Sequence, residues 1–253
     1  MEQITHRYRL DIEYDGTNYH GFQKQKALDI PTIEDSLLLA LNKLGFHNCD
    51  ITVSGRTDAG VHALCQTIHI DLIKKYSPYQ ILTGLNHHLR QNNDKISILH
   101  CYEVDNYFNA RLNAKMRHYR YIIINRKSPL TIDINRAWHI SEQLNIEDMS
   151  KASKLLLGEH DFSSFRDSDC QANSPIRTIN KIFIDKIDSK LLINVSAKSF
   201  LHHMVRNIVG TLVYVGTGRY EVDYITDILS TKNRNKSGPN APACGLYFLK
   251  TDY

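Results

Sequence analysis

Residues 50–70 read DITVSGRTDAGVHALCQTIHI. Two short β-forming runs, 50–54 and 63–70, flank the polar stretch SGRTDAGVH, so that stretch is the connection between two strands. Upstream, Ile33, Leu37, Leu38, Leu41 and Leu44 make a helical stripe that starts at a Thr32/Asp35 capping-box spacing and stops at Gly45. Before it, 7–14 (RYRLDIEY) alternates Tyr8, Leu10, Ile12 and Tyr14 with Arg7, Arg9, Asp11 and Glu13, the period of a half-buried strand, and Asp15-Gly16 turns the chain. Downstream, Pro78 opens a helix with Ile81, Leu82, Leu85 and Leu89 on one face, and 95–104 reads as a strand. The order is β-α-β-β-α-β, which is ferredoxin-like.

The second half repeats that order: strand 116–125, helix 146–157, strands 178–186 and 190–197, helix 201–215 and strand 245–250, with an extra helix near 221–230. The expected fold is α+β, with domains at 1–105 and 106–253. Two such units would remove exposed strand edges by joining into one mainly antiparallel sheet, with helices on one side and a central cleft. The stretch 231–243 (TKNRNKSGPNAPA) reads as a surface loop with three cations and no acid.

With 42% hydrophobic and 23% charged residues among 253, the chain can bury one large core or two modest ones, which excludes intrinsic disorder. A net charge of +4 is too mild to identify a partner. No apolar run approaches a membrane span and the N-terminal MEQITHRYRL lacks a signal-peptide apolar region, so the expected place is the cytoplasm. Five scattered cysteines, without a CxxC pair, read as reduced thiols. HExxH and GxxxxGK[ST] are absent, and Glu221 occupies the place of the third glycine after Gly216-Thr217-Gly218. His87-His88 and His202-His203 are adjacent, so on a helix each pair diverges by about 100° and does not readily share a metal. Neither a metal nor a nucleotide cofactor is expected.

Charge distribution says more. Between Asn106 and Ile132 no acid occurs, while Arg111, Lys115, Arg117, Arg120, Arg126 and Lys127 interleave with Tyr107, Phe108, Tyr119 and Tyr121. That mixture suits looped or single-stranded RNA, whose bases stack, and equally a solvated strand face over core aromatics. In the helix FLHHMVRNIVGTLVYVG, one face is apolar and the other carries His203, Arg206, Asn207 and Gly210. Arg206 is either an ordinary exposed helix residue or a cation facing a cleft, and Gly210 lets something approach closely. In the 54–62 connection, Asp58 is either the residue of an Asx-turn or a functional carboxylate two residues from Arg56.

The string GRTDAGVHA resembles the active-site motif of pseudouridine synthases, and with EYDGTNYHGFQKQ, FNARLNAKMRHYRYIIIN, GEHDFSSFR, SFLHHMVRNIVGTLVYVG and APACGLYFL in order the whole chain resembles the TruA family of tRNA pseudouridine synthases. Phe22 stands where many members have Trp, and Asn109 where His is frequent. The resemblance implies isomerisation of uridine to pseudouridine at positions 38, 39 and 40 of the tRNA anticodon stem-loop, by a homodimer, without metal or cofactor. It assigns Asp58 as a buried nucleophile, Arg206 as the guanidinium beside it, and Tyr119 as the ring that stacks on the flipped-out base and a candidate for the C5 proton. From the basic run, the 54–62 connection and the helix face, substrate contacts are expected from Arg56, Arg111, Lys115, Arg117, Arg120 and His203, lining an RNA-binding cleft. The alternative is a non-catalytic tRNA-binding or RNA-folding protein. An aspartate-dependent phosphatase would want a carboxylate cluster, and Asp58 has no acidic neighbour from Ile51 to Ile70.

Overall fold

A computed structural model describes residues 5–24, 30–167, 170 and 172–253. Gln25, the last residue of the EYDGTNYHGFQKQ block, and the first four residues lie outside the described residues. The fold is mixed α/β, and its elements in chain order are β1 (His6–Tyr14), α1 (Ile33–Lys43), β2 (Thr52–Val53), β3 (His62–Leu72), α2 (Pro78–Gln91), β4 (Ile96–Val104), β5 (Met116–Asn125), β6 (Trp138–Ile140), α3 (Ile146–Lys154), β7 (Gly158–Asp161), β8 (Ile176–Ile187), β9 (Lys190–Ala197), α4 (Met204–Gly216), α5 (Tyr224–Thr231) and β10 (Leu246–Asp252). Among the described residues no helix is long and apolar enough to cross a membrane. Among the described residues the cysteines form no disulfide.

The chain divides into two compact units, Met1–Lys115 with Phe248–Tyr253, and Met116–Tyr247. The sequence pattern places the division at 105/106; the compact units divide ten residues later, and the last six residues belong to the first.

In the first unit β1 lies between β3 and β4 and is antiparallel to both. Its alternation holds: Tyr8, Leu10, Ile12 and Tyr14 are buried with Ile68 and Ile70 of β3 and Ile98 of β4. Both helices start on a capping box, Thr32 with Asp35 and Ser77 with Gln80, which satisfies main-chain donors that a helix start leaves bare. Their buried stripes, Leu37, Ala40 and Leu41 in α1 and Ile81, Leu85 and Leu89 in α2, each remove an apolar side chain from water, worth about 1.5–3 kcal/mol for a Leu or Ile. The strand expected at 50–54 shrinks to Thr52–Val53, paired with His69 and Ile68; past its end Ser54 N still donates to Thr67 O at 2.9 Å, and Gly55 O accepts from Gln66 Nε2.

The polar face of β1 is tied up in ion pairs. Arg7 grips Asp71 with two bonds of 2.7 Å, and Arg9 grips Asp11 with two of 3.0 Å. Over this face runs the segment 105–115. Arg7 donates to the carbonyls of Asn106 and Phe108 at 2.7 and 2.8 Å, the Phe108 ring packs on Tyr253 at 4.9 Å, and the Ala110 N–H donates to His69 Nδ1 at 3.1 Å.

In the second unit the strand order is β5-β9-β8-β7, antiparallel throughout, with β6 running parallel to β5. Tyr119, Tyr121 and Ile123 of β5 lie on the buried face, cross-strand from Val195, Ile193 and Leu191 of β9. Neither β6 nor β7 is expected from the sequence. In α4 every residue except Arg206 and Tyr214 is buried.

Candidate active site

The connection carrying Asp58 is locked from beneath by a chain of buried polar side chains. Gln66 is fully buried; its Nε2 donates to Gly55 O at 2.7 Å, while its Oε1 accepts from Ser54 Oγ at 2.5 Å and from Thr67 N at 3.1 Å. Ser54 Oγ in turn accepts from Thr251 Oγ1 at 2.9 Å. The Tyr14 hydroxyl lies 2.8 Å from Thr57 Oγ1, the side chain next to Asp58. Burial pushes the Tyr14 phenol up to about 12, so its hydroxyl keeps its proton across the neutral range. Between Ile12↔Gln66 and Tyr14↔Ala63 the register shifts, because β3 carries one residue more than β1 there, and this bulge aims Gln66 at the connection.

From the other side the main chain holds the same residues. Phe22 N donates to Thr57 O at 3.0 Å, and Gly60 N to Tyr19 O at 3.3 Å. Asp58 to Val61 form a turn closed by Val61 N to Asp58 O at 3.2 Å, with Gly60 at φ +77 in the place that favours glycine. Gly21, at φ +82, passes so close that an added Cβ would stand 2.8 Å from Thr57 O. His62 Nδ1 accepts from Gly16 N at 3.1 Å and stands 3.2 Å from Asp15 Oδ1, which ties the turn after β1 to the start of β3. The sequence reading has Asp58 buried; it is half-buried, on a turn anchored through its main chain and Thr57.

Arg56 in the same connection is exposed. Partial burial holds its guanidinium below the usual arginine range, the positive charge of Arg111 adds to that, and Glu34 acts against it. Arg111 and Lys115 are exposed on the segment that crosses the polar face of β1, and Lys115 N donates to Asp252 O at 2.8 Å. The first unit therefore presents one half-buried carboxylate on a rigid turn, with two arginines close enough to repel each other.

In the second unit Tyr119 is 8% exposed and meets Phe200 edge-on, with ring centres 5.1 Å apart. Arg117 shares its face and donates to Lys198 O. Strand alternation sends Arg120 to the opposite face, where its Nε donates to Asn194 Oδ1 at 2.8 Å. Arg117 and Arg120 therefore do not form one surface.

Arg206 projects from α4, and its Nε donates to Ala241 O at 2.7 Å. What approaches Gly210 is the chain itself: an added Cβ would overlap the carbonyl oxygen of Pro239. The 231–243 stretch is accordingly not a plain surface loop. Its first part is largely exposed, but Ser237 and Ala241 are buried against α4, because two glycines, Gly210 and Gly238, let the main chains meet. Asn207, expected on the open face of the helix with Arg206, is fully buried and donates to Phe165 O at 2.9 Å. The helix begins at Met204, so His202 and His203 do not diverge as on a helix. His203 caps it at φ +60, the two rings stack with centres 3.9 Å apart, and His203 Nδ1 lies 2.6 Å from Asp167 Oδ2.

Tyr14, Gln66, Ser54 and Thr251 around the Asp58 turn escape sequence reasoning, as do Asn207 and Arg234 near Arg206. One signal was available: a polar residue such as Gln66 or Asn207, set where the apolar pattern demands burial, must find hydrogen-bond partners inside.

A sequence model of the family described as tRNA pseudouridine synthase matches residues 12–119 and 152–253. A tRNA pseudouridine synthase A of Ehrlichia chaffeensis is 47% identical over 247 residues, covering 98% of this chain and 100% of the relative. Relatives of the same name from Neorickettsia sennetsu and Anaplasma phagocytophilum are 44% and 43% identical, again over 98% of this chain and their full length.

Proposed function

Because the chain belongs to the tRNA pseudouridine synthase family, whose members convert uridine to pseudouridine, we propose that it isomerises uridines 38, 39 and 40 in the anticodon stem-loop of tRNA. The observation that carries this reading is the family match across both units, which takes in Asp58, Tyr119 and Arg206. In the reaction the C1′–N1 bond breaks and a C1′–C5 bond forms; C5 loses a proton and N1 gains one, so no atoms or electrons enter or leave.

Asp58 is the nucleophile in this proposal. A nucleophile must be held to within a fraction of an ångström, and the buried Gln66, Ser54, Thr57 and Tyr14 bonds supply that rigidity. Arg206 supplies positive charge to the carboxylate, its plane set by Ala241 O. The target base leaves its stack and lies against the ring of Tyr119, whose orientation is held by its perpendicular contact with Phe200. Arg56 and Arg111 hold the backbone of the displaced nucleotide: two guanidiniums that raise each other's energy are relieved by a phosphate between them. Lys115, Arg117 and His203 add contacts, and Arg120 serves RNA only on the opposite sheet face.

The proposal includes a finer architecture, two ferredoxin-like units with an RNA-binding cleft, supported in the first unit by the order β1-α1-β2-β3-α2-β4. It also includes a cytoplasmic homodimer acting without metal or cofactor. Incubating the purified protein with unmodified tRNA and mapping pseudouridine tests the reading. Pseudouridine at 38–40 is expected; tRNA bound tightly but left unmodified would favour the non-catalytic RNA-folding alternative.

A further inference from the structure

Residues 231–243 stand out in the sequence for their cations, and the reading above uses none of them. We propose that one, Arg234, is a positioning residue for the reaction: it clamps residues 237–241 onto α4 and through the Ala241 carbonyl fixes the plane of the Arg206 guanidinium. The inference rests on the reading of Arg206 as a group of the active site.

Arg234 spends its guanidinium on three acceptors from two places. Nη1 donates to Ser237 Oγ at 2.7 Å and to Gly238 O at 2.9 Å, and Nη2 donates to Asn207 Oδ1 at 2.8 Å. Asn207 is the residue after Arg206, fully buried in α4, so Arg234 bridges the helix to the segment that lies on it. Burial holds this guanidinium below the usual arginine range while Asp167 opposes the shift, a cost that an arginine making only surface contacts does not meet.

The clamp continues to the site through main chain. Gly238 N donates to Thr211 Oγ1 at 2.8 Å, Ser237 Oγ donates to Ser164 O at 2.7 Å, and the Pro239 carbonyl rests where a Cβ of Gly210 would be. Two residues on, Ala241 is fully buried, its N–H donating to Arg206 O at 3.3 Å and its carbonyl accepting from Arg206 Nε at 2.7 Å. A guanidinium is planar, so the Nε bond decides where both terminal nitrogens point. A small shift of Ala241 O turns that plane, and misplacing a catalytic group by about 1 Å costs about a hundredfold in rate.

The test is a double-mutant cycle on single-turnover conversion of unmodified tRNA, with wild type, Arg234→Gln, Arg206→Lys and the double variant. Arg234→Gln is expected to slow conversion by about tenfold or more, with tRNA affinity within about twofold. In the Arg206→Lys background the same change is expected to cost less than about twofold, while its effect on the melting temperature is equal in both backgrounds. An equal rate loss in both backgrounds, or a wild-type rate for Arg234→Gln, overturns the proposal and leaves the reading of Arg206 standing. A wild-type rate for Arg206→Lys alone overturns that reading, and the proposal with it. If Arg234→Gln does not fold, Arg234→Lys, which keeps the charge but not the fork, is judged by the same outcomes.

Discussion

Replacing Tyr14 by Phe removes one oxygen from the floor beneath the Asp58 turn. The hydroxyl lost stands 2.8 Å from Thr57 Oγ1, and both side chains are buried, so no water replaces it. Leaving a buried polar partner unsatisfied costs about 1–3 kcal/mol. For a chain of this size that lowers Tm by about 2–12 °C. The same bond fixes the residue next to Asp58, and a shift of the carboxylate by a fraction of an ångström lowers kcat by about 10- to 100-fold. Affinity for tRNA should stay within about twofold, since the hydroxyl lies below the turn. Thermal unfolding and single-turnover tritium release from tRNA labelled at uridine C5 measure the two effects. Thr57→Val should reproduce the share of each effect that passes through this bond, and the double variant should add little to Tyr14→Phe, because both substitutions remove it. A Tyr14→Phe protein that loses stability yet converts tRNA at the wild-type rate would show that the bond supports the fold and does not position Asp58.

Gly210→Ala should destabilise the protein by about 1–3 kcal/mol and slow conversion, because the new methyl meets the Pro239 carbonyl; unchanged unfolding would deny the close approach. His69 is held below its usual 6.5 by burial and then by Arg7, against Asp71, and it accepts the Ala110 N–H while neutral. The unfolded chain then takes up the proton more readily, so the contribution of His69 is complete above pH 6.5, falls as pH drops toward the folded value, and levels off below it. His69→Asn should flatten that part of the stability profile, and an unaltered slope would assign it to other groups. Arg117→Gln should reduce the salt dependence of tRNA binding by about one counterion and Arg120→Gln should not. Equal changes would contradict their placement on opposite faces.

Elements dictated by local chemistry were legible in the sequence. The alternation of β1, the capping box of α1, the start of α2 at Pro78 and the span of β5 follow from period and end residues alone. What was hidden depends on residues far apart in the chain. Past the end of β2 the Ser54 hydroxyl and the Gly55 carbonyl are bound by Gln66, a partner twelve and eleven residues away that nothing in 50–54 announces. The allotment of Phe248–Tyr253 to the first unit is a matter of chain topology, invisible to periodicity. β6 and β7 are too short to show a period. Of the site, the Asp58 motif was legible as a glycine-framed turn, but the buried side chains that stiffen it come from β1, β3 and the C-terminal strand. The opposite faces of Arg117 and Arg120 were readable from parity alone, since residues an odd number apart on a strand point apart. The partnership of Arg234 with Asn207 needed the coordinates of both.

The central claim is that the Asp58 carboxylate makes the bond to the substrate. Its most direct measurement is pseudouridine formed in unmodified tRNA by Asp58→Asn, a change of one oxygen for nitrogen, alongside tRNA binding by the same preparation. No pseudouridine, with affinity within a few fold of wild type, is the result expected; sustained conversion by the amide variant would contradict the nucleophile assignment.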